Sequence, residues 1–147
     1  MPKVLISDKM SPLAAQIFEE RGVEADVKTG MSHKELVHCI DQYDGLAVRS
    51  STRANIEVLT AGVNLKVIGR AGIGVDNIDV GAATAAGICV MNTPFGNSIT
   101  TAEHAISMIM SLSRQIPHAN ASTHAGKWEK SKFMGVEIMG KTLGIIG

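Results

Sequence analysis

Over the first 92 residues, short apolar runs alternate with polar-patterned stretches that carry helix start and stop signals. Val4 to Ile6 predicts a strand. Ser11 predicts an N-cap with Pro12 at the first helical position, for a helix that runs to Arg21 and stops at Gly22. Val23 to Lys28 predicts a second strand, and Ser32 with Glu35 three residues on predicts a capping box for a helix through Ile40. The uncharged run Gly45-Leu46-Ala47-Val48 predicts a buried strand that delivers Arg49 and Ser50 at its C-terminal end. Ala54 to Ala61 predicts a helix ended by Gly62, and Leu65 to Gly69 a strand that delivers Arg70. Asp79 caps a short helix through Ala86, Gly87 ends it, and Ile88 to Met91 predicts a fifth strand. Five strands separated by helices imply an α/β fold with a flavodoxin-like, doubly wound parallel sheet. Such sheets bind ligands beyond the carboxyl ends of their strands. Arg49, Ser50, Arg70 and the Gly72 to Gly74 turn all fall at that edge.

The pattern changes after Asn92-Thr93-Pro94-Phe95-Gly96-Asn97-Ser98. Thr100 and Glu103 predict a second capping box, and Ala102, Ala105, Ile106, Ile109, Met110, Leu112 and Ile116 line a helix that stops near Pro117. About eighteen residues make it roughly 27 Å long. Ala125 to Gly140 reads as an arm with the only Trp and several lysines, and Thr142 to Gly147 begins a strand. The expected division is therefore a domain over 1–97 and the opening of a second over 98–147.

A chain of 147 residues can bury one real core but not two full ones. Lys+Arg and Asp+Glu are both 14, so no global field holds nucleic acid, and 3% aromatic residues leave little for base stacking. Cys39 and Cys89 lie in apolar surroundings without C-x-x-C spacing, which predicts reduced, buried thiols, and no metal site is spelled out. The start has a three-residue apolar run before turning polar, neither signal peptide nor membrane span. A soluble, cytoplasmic protein is expected.

Gly69-Arg70-Ala71-Gly72-Ile73-Gly74-Val75-Asp76-Asn77-Ile78 is the richest segment. Glycine has no Cβ to hold a ligand away, so such a turn can bring bare N–H groups up to an anion. An anionic small molecule is the partner this predicts. Gly72-Ile73-Gly74 supplies the first two glycines of a dinucleotide fingerprint, but the third position is Asn77. The acidic residue expected roughly 20 residues on is replaced by the uncharged stretch Met91 to Asn97. A phosphate-signalling receiver is the alternative of the same size. Asp8 after the first strand fits it, whereas Arg49-Ser50 stands where a receiver needs its phospho-accepting Asp.

Gly69 to Asn77, then Val90 to Ser98, then Ala102-Glu103, then Gly126-Lys127-Trp128-Glu129-Lys130 together resemble the NAD-dependent D-2-hydroxyacid dehydrogenases, over nearly the whole chain. Within that family the blocks are most similar to the branch that acts on 3-phosphoglycerate at the first step of serine biosynthesis. The resemblance implies a substrate-binding domain, then the start of an NAD-binding Rossmann domain whose fingerprint begins at Gly147. It implies that Arg49, Ser50, the backbone of Ala71, Gly72, Ile73 and Gly74, and Asn97 hold 3-phosphoglycerate or phosphohydroxypyruvate, while Arg70 either assists in holding the substrate or holds the loop. It further implies that Ile73 and His104 approach the nicotinamide, and that Lys130 serves the phosphate site of a second subunit, with homodimerisation through 98–147. The catalytic arginine, glutamate and histidine are expected beyond Gly147, so these 147 residues are expected to bind substrate and dimerise without turnover. Another D-2-hydroxy acid as substrate, or a non-catalytic flavodoxin-like module, are the alternatives.

Overall fold

The computed structural model describes residues 1–146. It divides into two compact units, Met1–Gly96 and Asn97–Gly147. In the first, β1 (Lys3–Ile6), β2 (Glu24–Val27), β3 (Gly45–Val48), β4 (Val67–Arg70) and β5 (Cys89–Asn92) form one parallel sheet in the order β2-β1-β3-β4-β5. This is the expected flavodoxin-like order. The crossovers are α1 (Leu13–Glu20), α2 (His33–Cys39), α3 (Ile56–Ala61) and α4 (Val80–Ala85). The sheet grows one way from β1 to β2 and the other way from β3 to β5, so right-handed crossovers put α1 on one face and α2, α3 and α4 on the other. Between the sheet and those three helices lies the core, with Leu5, Leu46, Val48 and Ile68 from the strands meeting Leu36, Val58, Leu59 and Ala83 from the helices.

Local signals set most of the element ends. Ser32 and Glu35 form the predicted capping box, and the Asp79 side chain accepts from the Ala82 amide to cap α4. Two starts differ from expectation. Pro12, not Ser11, occupies the N-cap of α1, with Ser11 Oγ only reaching the Leu13 amide at 3.4 Å. Ala54 lies outside α3, because its backbone pairs with Ile78 as a parallel bridge, and Asn55 caps the helix instead. Cys39 is half-buried and Cys89 is exposed, which corrects the expectation of two buried thiols. Cys89 opens β5, the edge strand, where only Val90 is even partly covered.

The second unit contains α5 (Ser98–Ser113) and α6 (Ile116–His124). The expected single helix is thus two. Pro117 one turn later would drive its ring into the Ser113 carbonyl, so the helix ends at that residue and the chain reverses through Gln115 in the left-handed region (φ 52°). Pro117 then sits in the first turn of α6, where a missing N–H costs nothing. The freed Ser113 carbonyl accepts from the Val136 amide at 2.8 Å, tying the arm to the end of α5. A Cβ on Gly135 would lie 2.4 Å from that carbonyl oxygen at φ +61°, so only glycine fits there. The predicted capping box at Thr100 does not form, because α5 already begins at Ser98. Thr142 to Ile146 form no strand, since a parallel strand exists only against a partner and none lies beside them among the described residues. Gly147, the expected first fingerprint glycine, lies outside the described residues. Among those residues no helix is long and apolar enough to cross a membrane.

Candidate functional site

At the carboxyl edge of the sheet, parallel register brings Val48, Arg70 and Asn92 level across β3, β4 and β5. The segments that follow those strands therefore share one rim. The first group there is Asp8, which follows β1 and is buried. Its Oδ2 accepts from the amides of Arg49 at 2.6 Å, Ser51 at 3.2 Å and Thr52 at 3.1 Å, and its Oδ1 from the Thr52 hydroxyl at 2.7 Å. Converging amides make an anion-binding nest, and here the anion is internal. This consumes the carboxylate on which the receiver reading depends. Among the described residues no cluster of three or more His, Cys, Asp or Glu assembles that could take over its role.

Burial pushes the Asp8 carboxyl upward, but the bonds from Thr52, Arg49 and Ser51 outweigh it and hold the group below the usual carboxylate range. A carboxyl depressed on folding stabilises the protein above its unfolded pKa of about 3.9, and that stability is lost as pH falls through the folded value. Urea unfolding of wild type and Asp8→Asn is therefore expected to show a gap at pH 7 that narrows below about pH 4. A gap independent of pH would rule out this account of the carboxylate.

Arg49 follows β3 and is exposed. Its Nη1 donates to the Lys9 carbonyl at 3.3 Å, and among the described residues it makes no salt bridge. Ser50 beside it is exposed as well. Arg70 differs: its side chain is 11% exposed, and Nη1 bonds both the Asp76 carboxylate at 2.7 Å and the Asn77 side-chain oxygen. Its Nε is buried without a partner. The Arg70 guanidinium is the main cause of a lowered Asp76 carboxyl pKa. Arg70 braces its own loop.

The glycine turn is built from both sides. The Ala71 amide donates to the Val48 carbonyl at 2.9 Å and the Gly72 amide to the Arg70 carbonyl at 3.0 Å. The Gly72 carbonyl accepts from the Thr93 amide, and the Ile73 carbonyl from Asn92 Nδ2 at 2.7 Å. The four expected anion donors thus narrow to the Ile73 and Gly74 amides, which have no acceptor among the described residues. A Cβ on Gly74 would stand 2.9 Å from the Asp76 carboxylate, the movable end of an exposed side chain. That carboxylate faces the turn, and α4 begins only at Val80, so the segment is no cradle for a dinucleotide pyrophosphate. Ile73, 42% exposed, offers a wall and not a phosphate site.

The remaining predicted residues belong to the second unit. Asn97 precedes α5 without a side-chain cap bond, its carbonyl taking the Thr101 amide. His104 lies exposed near the start of α5, and Lys130 lies exposed at the start of a 3-10 turn over Lys130–Phe133. Asn77 stands where a dinucleotide fingerprint would place its third glycine. It is buried, and its Nδ2 donates to the carbonyls of Arg49 at 2.7 Å and Thr52 at 2.5 Å. No local signal in the chain announces that role, because all its side-chain partners except Arg70 lie 25 or more residues away.

Comparison with known proteins gives this rim a context. The family described as D-isomer specific 2-hydroxyacid dehydrogenase, catalytic domain, matches residues 4–142. The D-3-phosphoglycerate dehydrogenase of Archaeoglobus fulgidus is 51% identical over 145 residues, 99% of this chain and 28% of that protein. The human D-3-phosphoglycerate dehydrogenase is also 51% identical over 145 residues, 99% of this chain and 27% of that protein. The chain thus spans little more than a quarter of these relatives. The structure of NAD+-bound 3-phosphoglycerate dehydrogenase from Entamoeba histolytica superposes with a TM-score of 0.68 at 33% identity, over 77% of this chain and 39% of that one.

Proposed function

The chain belongs to the D-isomer specific 2-hydroxyacid dehydrogenase family, and from that premise we propose that its first unit holds the acidic substrate of an NAD-dependent enzyme that oxidises 3-phosphoglycerate to 3-phosphohydroxypyruvate. The observation that carries this reading is Arg49: its backbone amide is anchored by the buried Asp8 carboxylate, while its guanidinium, exposed at the carboxyl edge of the sheet, is paired with no acid among the described residues. A planar guanidinium grips carboxylate or phosphate through two parallel bonds. Ser50 adds a hydroxyl, and the amides of Ile73 and Gly74 add backbone donors. Ala71, Gly72 and Arg70 hold those amides in place. In the second unit Asn97 contributes a substrate contact, and Lys130 meets the phosphate of a second subunit across a homodimer. NAD, when bound, supplies the hydride acceptor, with Ile73 and His104 near its nicotinamide. Near the rim Asp8 accepts from amides, Asp76 accepts from Arg70 and His33 bonds Glu57, and the described residues are expected to bind substrate without turning it over. The setting is the cytoplasm and the pathway serine biosynthesis.

Calorimetry with 3-phosphoglycerate and D-glycerate tests the substrate. Loss of the phosphate removes charge-assisted hydrogen bonds worth about 1.5–3 kcal/mol each, so D-glycerate is expected to bind at least about tenfold more weakly. Equal affinity for the two would move the assignment to an unphosphorylated D-2-hydroxy acid. With NAD present, this chain is expected to form no NADH.

A further inference from the structure

Three polar side chains are buried among the described residues, Ser7, Asp8 and Asn77. All three bond Thr52. Ser7 Oγ donates to the Thr52 hydroxyl at 2.9 Å, that hydroxyl donates to Asp8 Oδ1 at 2.7 Å, Asp8 Oδ2 accepts from the Thr52 amide, and Asn77 Nδ2 donates to the Thr52 carbonyl at 2.5 Å. Two of the same groups also hold Arg49 from either side. Its amide is fixed by Asp8 at 2.6 Å and its carbonyl by Asn77 at 2.7 Å.

We propose that Asp8, Thr52 and Asn77 form a clasp that positions Arg49, setting the direction of its side chain without any of the three touching the ligand. Fixing the peptide groups before and after Arg49 fixes its φ and ψ, and with them the Cα–Cβ vector on which the guanidinium rides. Asn77 adds a third bond, accepting from Arg70 Nη1, so the segment after β3 and the segment after β4 are locked as one piece. Ligand affinity gains from such preorganisation because the loop is ordered before the ligand arrives. The hydroxyl of Thr52 is the joint. It accepts from Ser7 and donates to Asp8, and both bonds fail together if it is removed.

The inference rests on the substrate-holding reading of Arg49, and two clasp variants, with Thr52→Ser and Arg49→Ala as references and two readouts, keep the questions apart. Asn77→Asp preserves the volume and the acceptor for Arg70 but faces the two carbonyls with an acceptor. Thr52→Val preserves the shape and deletes the hydroxyl. Amide hydrogen exchange reads the clasp directly, and calorimetry with 3-phosphoglycerate reads its consequence. In both variants exchange at Arg49, Ser51 and Thr52 is expected to accelerate at least about tenfold while Leu46 and Ile68 keep their rates. Affinity for 3-phosphoglycerate is expected to fall about tenfold or more, with Thr52→Ser restoring both. Unchanged exchange at 49–52 overturns the clasp whatever the ligand does. Accelerated exchange with affinity within about twofold of wild type, while Arg49→Ala loses binding, overturns the positioning role. If Arg49→Ala also keeps wild-type affinity, the substrate reading falls first and the positioning role falls with it.

Discussion

Arg49→Ala is expected to weaken 3-phosphoglycerate binding by about 100-fold or more. Two charge-assisted bonds from one guanidinium contribute about 1.5–3 kcal/mol each, and tenfold in affinity is about 1.4 kcal/mol, so losing the pair accounts for that factor at its lower bound. No internal ion pair competes for the guanidinium among the described residues; its one side-chain bond is to the Lys9 carbonyl at 3.3 Å. Arg49→Lys separates charge from geometry. A lysine keeps the charge as a point on a flexible stem and loses the fork, so an intermediate loss of about tenfold is expected. Arg53, also exposed and three residues beyond Ser50, serves as the control for a general electrostatic field, and its alanine variant is expected to stay within about threefold of wild type. Equal losses for Arg49→Ala and Arg53→Ala would replace a specific grip with a diffuse basic patch. No loss for either would remove Arg49 from the site altogether.

The elements near this site were readable in proportion to how local their causes are. Gly45–Val48 is a strand over the residues its sequence predicts, because an uncharged four-residue run with Asp44 before it and Arg49 after it has one way to be buried. The Ser32–Glu35 box and the Asp79 cap involve side chains and amides three residues apart, so spacing alone identifies them. Asp8 and Asn77 escape the same reading. Asp8 looked like a candidate phosphate-signalling acid because nothing within ten residues shows that amides 41 to 44 residues away will fill its lone pairs. Asn77 looked like a broken glycine motif because its partners are carbonyls on another loop. Arg49 and Arg70 look equivalent in sequence, each ending a strand. Only the fold separates them, since Arg70 has Asp76 and Asn77 within its own loop while the Arg49 side chain is exposed and bonds only the Lys9 carbonyl. The helix break before Pro117 is half legible: the proline reads as a stop, whereas it begins the next helix and its clash falls four residues earlier.

The largest assembly effect lies in the second unit, which is expected to make the protein a dimer. In α5, Ile99 and Ile106 are 75% and 61% exposed, and Met108 and Leu112 are 58% and 82% exposed. Residues seven apart share a side of a helix, while 108 and 112 fall on the side opposite 106 at 100° per residue. A helix that is apolar on opposite sides is built to be covered. With Ile116 and Trp128, six large apolar side chains contribute about 9–18 kcal/mol if buried, at roughly 1.5–3 kcal/mol each. That range overlaps an association cost of about 4–15 kcal/mol and exceeds it at its upper end, so burial on a second copy of the chain can offset the cost of association. Sedimentation at micromolar concentration is expected to show a dimer. Ile106→Glu combined with Leu112→Glu places a charge on each of the two sides and is expected to yield a monomer, with the unfolding transition of the flavodoxin-like unit unchanged. A wild-type monomer at that concentration would sink the assignment, and a dimer that survives both charges would move the interface off α5 and onto the arm that carries Trp128.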